Sequence, residues 1–267
     1  MMYRILFILL FQQFNLFGQS ADTVNVYSAS MNKNIRCVII QPDRYKKNIP
    51  LPVVYLLHGY GGKYNNWINK VPEIKKYASL FNMIIVCPDG FNSWYFNSIT
   101  DTSQQLETFL SEELIKYVDK NYKTISKNTS RAITGLSMGG HGAMYLGLKY
   151  PEIFGACGSM SGVTDLSVRK NKYDIIKILG DTILQAASWK NHSVMYIIEN
   201  PQSKPAIIFD CGTSDGFINE NRMLHQKMEI LKIPHQYTER NGNHNWIYWA
   251  ESIPYQLLFF RNYFKAK

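Results

Sequence analysis

The chain has 267 residues, of which 46% are hydrophobic and 18% charged, with a formal net charge of +9. That balance excludes a disordered chain, and the length suits one α/β core. The basic excess is scattered over lysines such as Lys75-Lys76, Lys170 and Lys172, which describes a solvated surface and argues against a nucleic-acid-binding stripe.

The first twenty residues stand apart from the rest. Arg4 precedes the apolar run 5–11, Gln12-Gln13 interrupts it, and Gly18-Gln19-Ser20-Ala21 follows. This three-part order predicts a secretory signal peptide over residues 1–20 and a single mature domain over 21–267. The apolar run is too short to span a bilayer, and no Cys follows it to carry a lipid. Loss of Arg4 with the signal lowers the net charge by one. A secreted or periplasmic location follows, with no membrane span in the mature chain. Export would permit disulfides among Cys37, Cys87, Cys157 and Cys211. Three of these lie in apolar, strand-like runs and their spacing fits no zinc motif, so no pairing and no metal are assigned.

In chain order, residues 23–27 and 35–41 alternate or run apolar and predict two opening strands. Residues 43–52, with lysines and two prolines, predict a surface loop. The run 52–57 is apolar throughout and ends in His58-Gly59-Tyr60-Gly61-Gly62. A second such run, 83–87, ends in Pro88-Asp89-Gly90. Short stretches apolar on both faces are the mark of strands covered by helices on both sides. Leu106, Phe109, Leu110, Leu114, Ile115 and Val118 recur at helical spacing. Residues 132–134 form a brief strand into Gly135, and 140–149 a helix that stops before Pro151. Residues 157–161 and 206–211 read as further strands. Asn219 is a candidate N-cap for a helix that runs toward Pro234. Residues 245–264 predict a closing helix, kinked or split at Pro254. The stretch 163–202 breaks the alternation and reads as short helices over the site. The alternation predicts an α/β fold with a mostly parallel central sheet and helices on both faces.

Gly135-Leu136-Ser137-Met138-Gly139 matches G-x-S-x-G, and it lies between a strand and a helix, the setting that a nucleophile elbow requires. The turn forces the serine into strained geometry, so its neighbours must lack side chains. A serine hydroxyl needs a base to take its proton and a third group to orient that base. In α/β-hydrolases the order is Ser, acid, His. Of the histidines after Ser137, His141 lies on the elbow helix, His192 comes too early, His225 falls inside a helical run and His235 opens a strand. His244 sits in the polar turn Asn241-Gly242-Asn243-His244-Asn245, where the base belongs. Asp210 and Asp215 compete as the acid. Asp210 ends a strand and suits a structural role, whereas Asp215 lies in a loop that can reach a neighbouring histidine, so Asp215 is preferred. Oxyanion donors are expected from the backbone N–H groups of Met138 and of Tyr60, with Gly59 as the alternative to Tyr60. His58 is expected to brace its loop by hydrogen bonding.

These stretches, with Asn92-Ser93-Trp94-Tyr95, Asp210-Cys211-Gly212 and His244-Asn245-Trp246, resemble the esterase family that includes esterase D, the feruloyl esterase modules and the antigen 85 mycolyltransferases. The likeness spans nearly all of the mature chain in the expected order. It implies an α/β-hydrolase fold, a Ser137–His244–Asp215 triad, no metal or organic cofactor, and a cleft near residues 92–95 with Trp94 contacting substrate. Export disfavours a cytosolic thioester substrate and favours small-molecule or polysaccharide-linked esters, feruloyl or acetyl. Acyl transfer to a sugar hydroxyl and a non-catalytic binding protein on the same fold are the alternatives.

Overall fold

A strand that is apolar at every position must bury both of its faces, and the central strands here do so. A computed structural model describes residues 21–43, 49–200 and 205–267. The signal peptide expected over 1–20 lies outside the described residues, as do parts of the loop at 43–52 and of the stretch 163–202. The elements in order are β1 (Ala21–Ser28), β2 (Lys33–Ile40), β3 (Val53–Leu57), α1 (Asn66–Lys70), α2 (Ile74–Phe81), β4 (Ile84–Pro88) and α3 (Leu106–Thr108). A π-helical turn at Phe109–Glu113 joins α3 to α4 (Leu114–Asn121), and β5 (Arg131–Gly135), α5 (Met138–Lys149) and β6 (Ala156–Met160) follow. The stretch after β6 holds the short helices α6 (Ile175–Leu179), α7 (Ala186–His192) and α8 (Val194–Ile197). The chain closes with β7 (Ala206–Gly212), α9 (Ile218–Ile230), β8 (Gln236–Arg240) and α10 (Trp246–Lys265).

The eight strands form one sheet in the order β1-β2-β4-β3-β5-β6-β7-β8. The pairs β1–β2 and β2–β4 are antiparallel, and β4 through β8 run parallel. Successive residues of β3 point to opposite faces. Val53, Tyr55 and Leu57 join the core beneath α4, α5 and α9, while Val54 and Leu56 join the core under α2 and α10. Both faces are therefore dry, which explains the continuous apolar runs. On α10, Ile253, Leu257 and Phe260 are fully buried at helical spacing, each contributing about 1.5–3 kcal/mol of hydrophobic stabilisation.

Two local expectations change. Helix α9 starts at Ile218, not after Asn219, because Asp215 organises the preceding turn: its carboxylate accepts the Phe217 N–H at 2.9 Å and its carbonyl accepts the Ile218 N–H at 3.1 Å. Helix α10 is not split at Pro254. Its neighbours Ser252, Ile253, Gln256 and Leu257 are all buried against the sheet, and that packing holds the helix together across one missing N–H. Helices α1 and α2 had no sequence signal strong enough to predict them, being only 5 and 8 residues long.

Candidate active site

The parallel strands deliver their C-terminal ends to one edge, and the loops leaving β3, β5, β7 and β8 meet there. Ser137 follows β5 with φ +53° and ψ −118° and immediately precedes α5. Such a backbone is strained for a non-glycine residue by about 1–3 kcal/mol and must be held in place. The Ser137 N–H donates to the Met160 carbonyl at 2.9 Å, tying the turn to β6. A Cβ on Gly139 would lie 2.5 Å from the His58 carbonyl oxygen, and one on Gly135 would lie 2.6 Å from the Gly139 backbone. Both neighbours are main chain, so neither position has room for a side chain.

His244 lies in the turn between β8 and α10. Asn245 caps α10 by accepting the Tyr248 N–H at 3.1 Å, which sets where the turn ends. The His244 ring stands edge-on to Phe217 at 4.6 Å and to Trp249 at 4.9 Å. Its Nδ1 is 2.8 Å from Asp215 Oδ2 and its Nε2 is 2.9 Å from Ser137 Oγ. With the ring proton on Nδ1, directed at the carboxylate, Nε2 accepts from the serine hydroxyl. Asp215 is buried at 3% exposure. Burial pushes its pKa up, but the His244 hydrogen bond and charge, helped by the Phe217 N–H, outweigh burial and hold the carboxyl below its ordinary value. The loops carrying Asp215 and His244 are bonded directly, Ser214 N–H to Gly242 carbonyl at 2.9 Å.

Asp210 is not part of this relay. It accepts from Tyr248 Oη at 2.9 Å, Ser252 Oγ at 2.7 Å and Gln256 Nε2 at 2.8 Å, with the Arg240 guanidinium at 3.0 Å. Burial raises its pKa against those partners. It fastens α10 to the sheet.

The Met138 N–H heads α5, and the Tyr60 N–H sits in the loop after β3. Three neighbouring donors are used: Gly139 N–H goes to the Leu136 carbonyl, Gly61 N–H to Asn92 Oδ1 and Gly62 N–H to the Gly59 carbonyl. Among the described residues, the N–H groups of Met138, Tyr60 and Gly59 are without such an acceptor, so both candidates after β3 stay open as the second donor. His58 is buried in the same loop. Its Nδ1 donates to the Gly59 carbonyl at 2.8 Å and its Nε2 accepts the Gly90 N–H at 2.8 Å, so it braces the loop from below.

Trp94 is a correction. Its side chain is 1% exposed, packed edge-on to His141 at 5.6 Å, and its indole N–H donates to the Tyr173 carbonyl at 2.9 Å. An indole enclosed in this way cannot wall the cleft. Tyr173, which it carries, does. The cleft above Ser137 has a volume of about 370 Å³ and is walled by Tyr60, Tyr173, His244, Trp246 and Trp249. The Tyr60 hydroxyl donates to Asp174 at 2.5 Å, and its ring meets Tyr173 at 5.5 Å, so the loop after β3 and the stretch before α6 close one side together. Tyr173 lies where the sequence shows no periodicity, and no signal singled it out. Trp246, two residues after His244, stood within the motif. A larger groove of about 630 Å³ lies between β7, β8 and α10, but it contains neither Ser137 nor His244.

All four cysteines are buried free thiols. Among the described residues no helix is long and apolar enough to cross a membrane.

Residues 28–260 match the model of the "Putative esterase" family. The acetyl esterase of Caldicellulosiruptor saccharolyticus is 28% identical over 86% of this chain and 94% of its own length. The diacylglycerol acyltransferase/mycolyltransferase Ag85B of Mycobacterium avium is 32% identical over 88% of this chain and 81% of its own. A solved ferulic acid esterase superposes with a TM-score of 0.80 at 28% identity, covering 93% of this chain and 99% of that one.

Proposed function

This chain belongs to that esterase family and is an esterase of the α/β-hydrolase fold, and from that premise we propose that it is an exported serine hydrolase of acyl esters on carbohydrates, acetyl or feruloyl. Ser137 is the nucleophile, His244 the general base and Asp215 the group that orients it. The observation that carries this reading is the unbroken relay from Asp215 Oδ2 through His244 to Ser137 Oγ, with separations of 2.8 and 2.9 Å.

In the reaction, Ser137 Oγ attacks the ester carbonyl while its proton passes to His244 Nε2. Asp215 stabilises the imidazolium and keeps the Nδ1 proton in place. The oxyanion is met by the Met138 and Tyr60 N–H groups, each such donor contributing about 2.7–4 kcal/mol in comparable sites. His244 then protonates the leaving alcohol. Water, deprotonated by His244, attacks the acyl-enzyme and releases the acid. The aromatic walls, Tyr60, Tyr173 and Trp246, suit a sugar ring or a phenolic acyl group, and the relatives named acetyl esterase and ferulic acid esterase support both acyl classes. Export rests on the signal-like residues 1–20.

Hydrolysis of p-nitrophenyl acetate and methyl ferulate by wild type and Ser137→Ala tests the reading. Turnover is expected to fall by about 10⁶-fold in the variant, as for loss of a serine nucleophile elsewhere. If the wild type is inert to both esters and to a fluorophosphonate probe, a binding protein on this fold takes its place. The Ag85B relative favours a second reading, transfer of the acyl group to a sugar hydroxyl. Exposure of about one third of the His244 side chain gives water access and supports hydrolysis. Acyl-sugar appearing at the expense of free acid would reverse that preference.

A further inference from the structure

A second cluster of imidazoles lies at the far end of β8. His225 and Glu229 are one turn apart on α9, and His235 stands immediately before β8. His225 Nδ1 is 2.8 Å from His235 Nε2, and Glu229 Oε1 is 3.9 Å from the same nitrogen. One ligating atom from each residue falls within 4.8 Å of the other two. The strand between His235 and the turn holding His244 rises by roughly 17 Å, so the cluster takes no part in proton transfer at Ser137.

We propose that His225, Glu229 and His235 bind a zinc-class divalent cation that staples α9 to β8. The His235 side chain is 2% exposed, and its Nδ1 donates to the Ile233 carbonyl at 2.7 Å. That bond fixes the tautomer and leaves the Nε2 lone pair facing His225 and Glu229, the arrangement that orients a metal-bound histidine. Both rings are held flat by aromatic neighbours, His225 against Tyr237 at 4.7 Å and His235 against Phe209 at 5.7 Å. Two imidazoles and a carboxylate are a donor set for zinc and its transition-metal neighbours, whereas magnesium and calcium prefer oxygen alone. At Zn–N distances of about 2.0–2.1 Å, a tetrahedral ion places its nitrogens roughly 3.3 Å apart. The two rings therefore open by about half an ångström. Glu229, whose side chain is 67% exposed, is free to close the remaining distance. The ion replaces the proton shared between the two nitrogens, His225 carries its single ring proton on Nε2, and a water fills the fourth position.

The test is calorimetric titration of the EDTA-treated full chain with zinc chloride, paired with thermal melts. One equivalent is expected to bind, and the melting temperature to rise by about 5 °C at a hundredfold excess over Kd. Glu229→Gln and His225→Gln should each weaken Kd by about tenfold or more. The metal-free melt of Glu229→Gln should match wild type, which separates lost binding from lost folding. Cobalt(II) should give the intense visible bands of a four-coordinate site in the wild type and lose them in His225→Gln. Absence of stoichiometric zinc binding, or equal zinc affinity in wild type and His225→Gln, would overturn the proposal.

Discussion

Two aspartates five residues apart in sequence should respond to the same substitution in opposite ways. In Asp215→Asn the Phe217 N–H, 2.9 Å from Oδ1, will claim the amide oxygen. The NH₂ group then faces His244 Nδ1, which must become an acceptor, and the ring proton moves to Nε2. His244 would then donate to Ser137 instead of accepting from it. The expected loss in kcat is about 10⁴-fold, or about 5.4 kcal/mol of transition-state stabilisation. Stability should change little, since the turn before α9 keeps its Phe217 bond. Asp210→Asn instead places an NH₂ group among three donors and leaves Arg240 without its carboxylate partner. Hydrogen bonds to a charged acceptor are worth about 1.5–3 kcal/mol each, and the burial that already opposes this charge offsets part of their loss. A net loss of about 3 kcal/mol lowers the melting temperature by roughly 6–12 °C, with kcat on p-nitrophenyl acetate within a fewfold of wild type. Initial rates and circular-dichroism melts on the two variants decide the matter. Asp215→Asn keeping more than about a tenth of wild-type kcat, against the orders-of-magnitude loss expected, would refute the relay geometry. So would Asp210→Asn losing activity to the same degree while remaining folded.

Gly139→Ala drives a methyl group to 2.5 Å from the His58 carbonyl and 2.8 Å from that of Leu57, so it should abolish labelling of Ser137 by a fluorophosphonate or abolish soluble expression. Full labelling at normal yield would contradict the tight elbow. His141 is fully buried, and burial pushes its pKa from an ordinary 6.5 down to about 4, even though both ring nitrogens face carbonyl oxygens. The unfolded chain gains this proton below pH 6.5 and the folded chain only near 4, so stability is complete above 6.5 and falls as pH drops between the two. At 1.36 kcal/mol per pH unit that amounts to about 3 kcal/mol, and urea denaturation of His141→Gln should show a flatter slope over this window. Trp94→Phe removes the bond to the Tyr173 carbonyl and part of a packed ring, and should cost about 1–2 kcal/mol in stability. It should raise KM for methyl ferulate by severalfold while leaving the rate on p-nitrophenyl acetate nearly unchanged. Equal effects on both substrates would mean that Tyr173 does not contact the acyl group.

Much of this molecule is legible in its sequence because the governing interactions are local or periodic. Strands buried on both faces are apolar throughout in β3 and β4, so these two stand out as runs. A strained serine turn must be flanked by glycine, so Gly135 and Gly139 mark Ser137. The order of β-strand, acid loop and histidine turn singles out Asp215 and His244 before any contact is seen. What sequence could not supply depends on which segments meet across the sheet. Trp94 reads as a cleft aromatic, yet packing encloses it, and the cleft wall passes to Tyr173, which belongs to a stretch without periodicity. Asn219 looks like a helix cap, but the turn is already organised by Asp215. His225, Glu229 and His235 carry no recognisable spacing, because helix and strand must first pack to bring them within 4.8 Å. Burial, pairing and the closing distances of side chains are properties of tertiary packing, since each depends on neighbours far away along the chain.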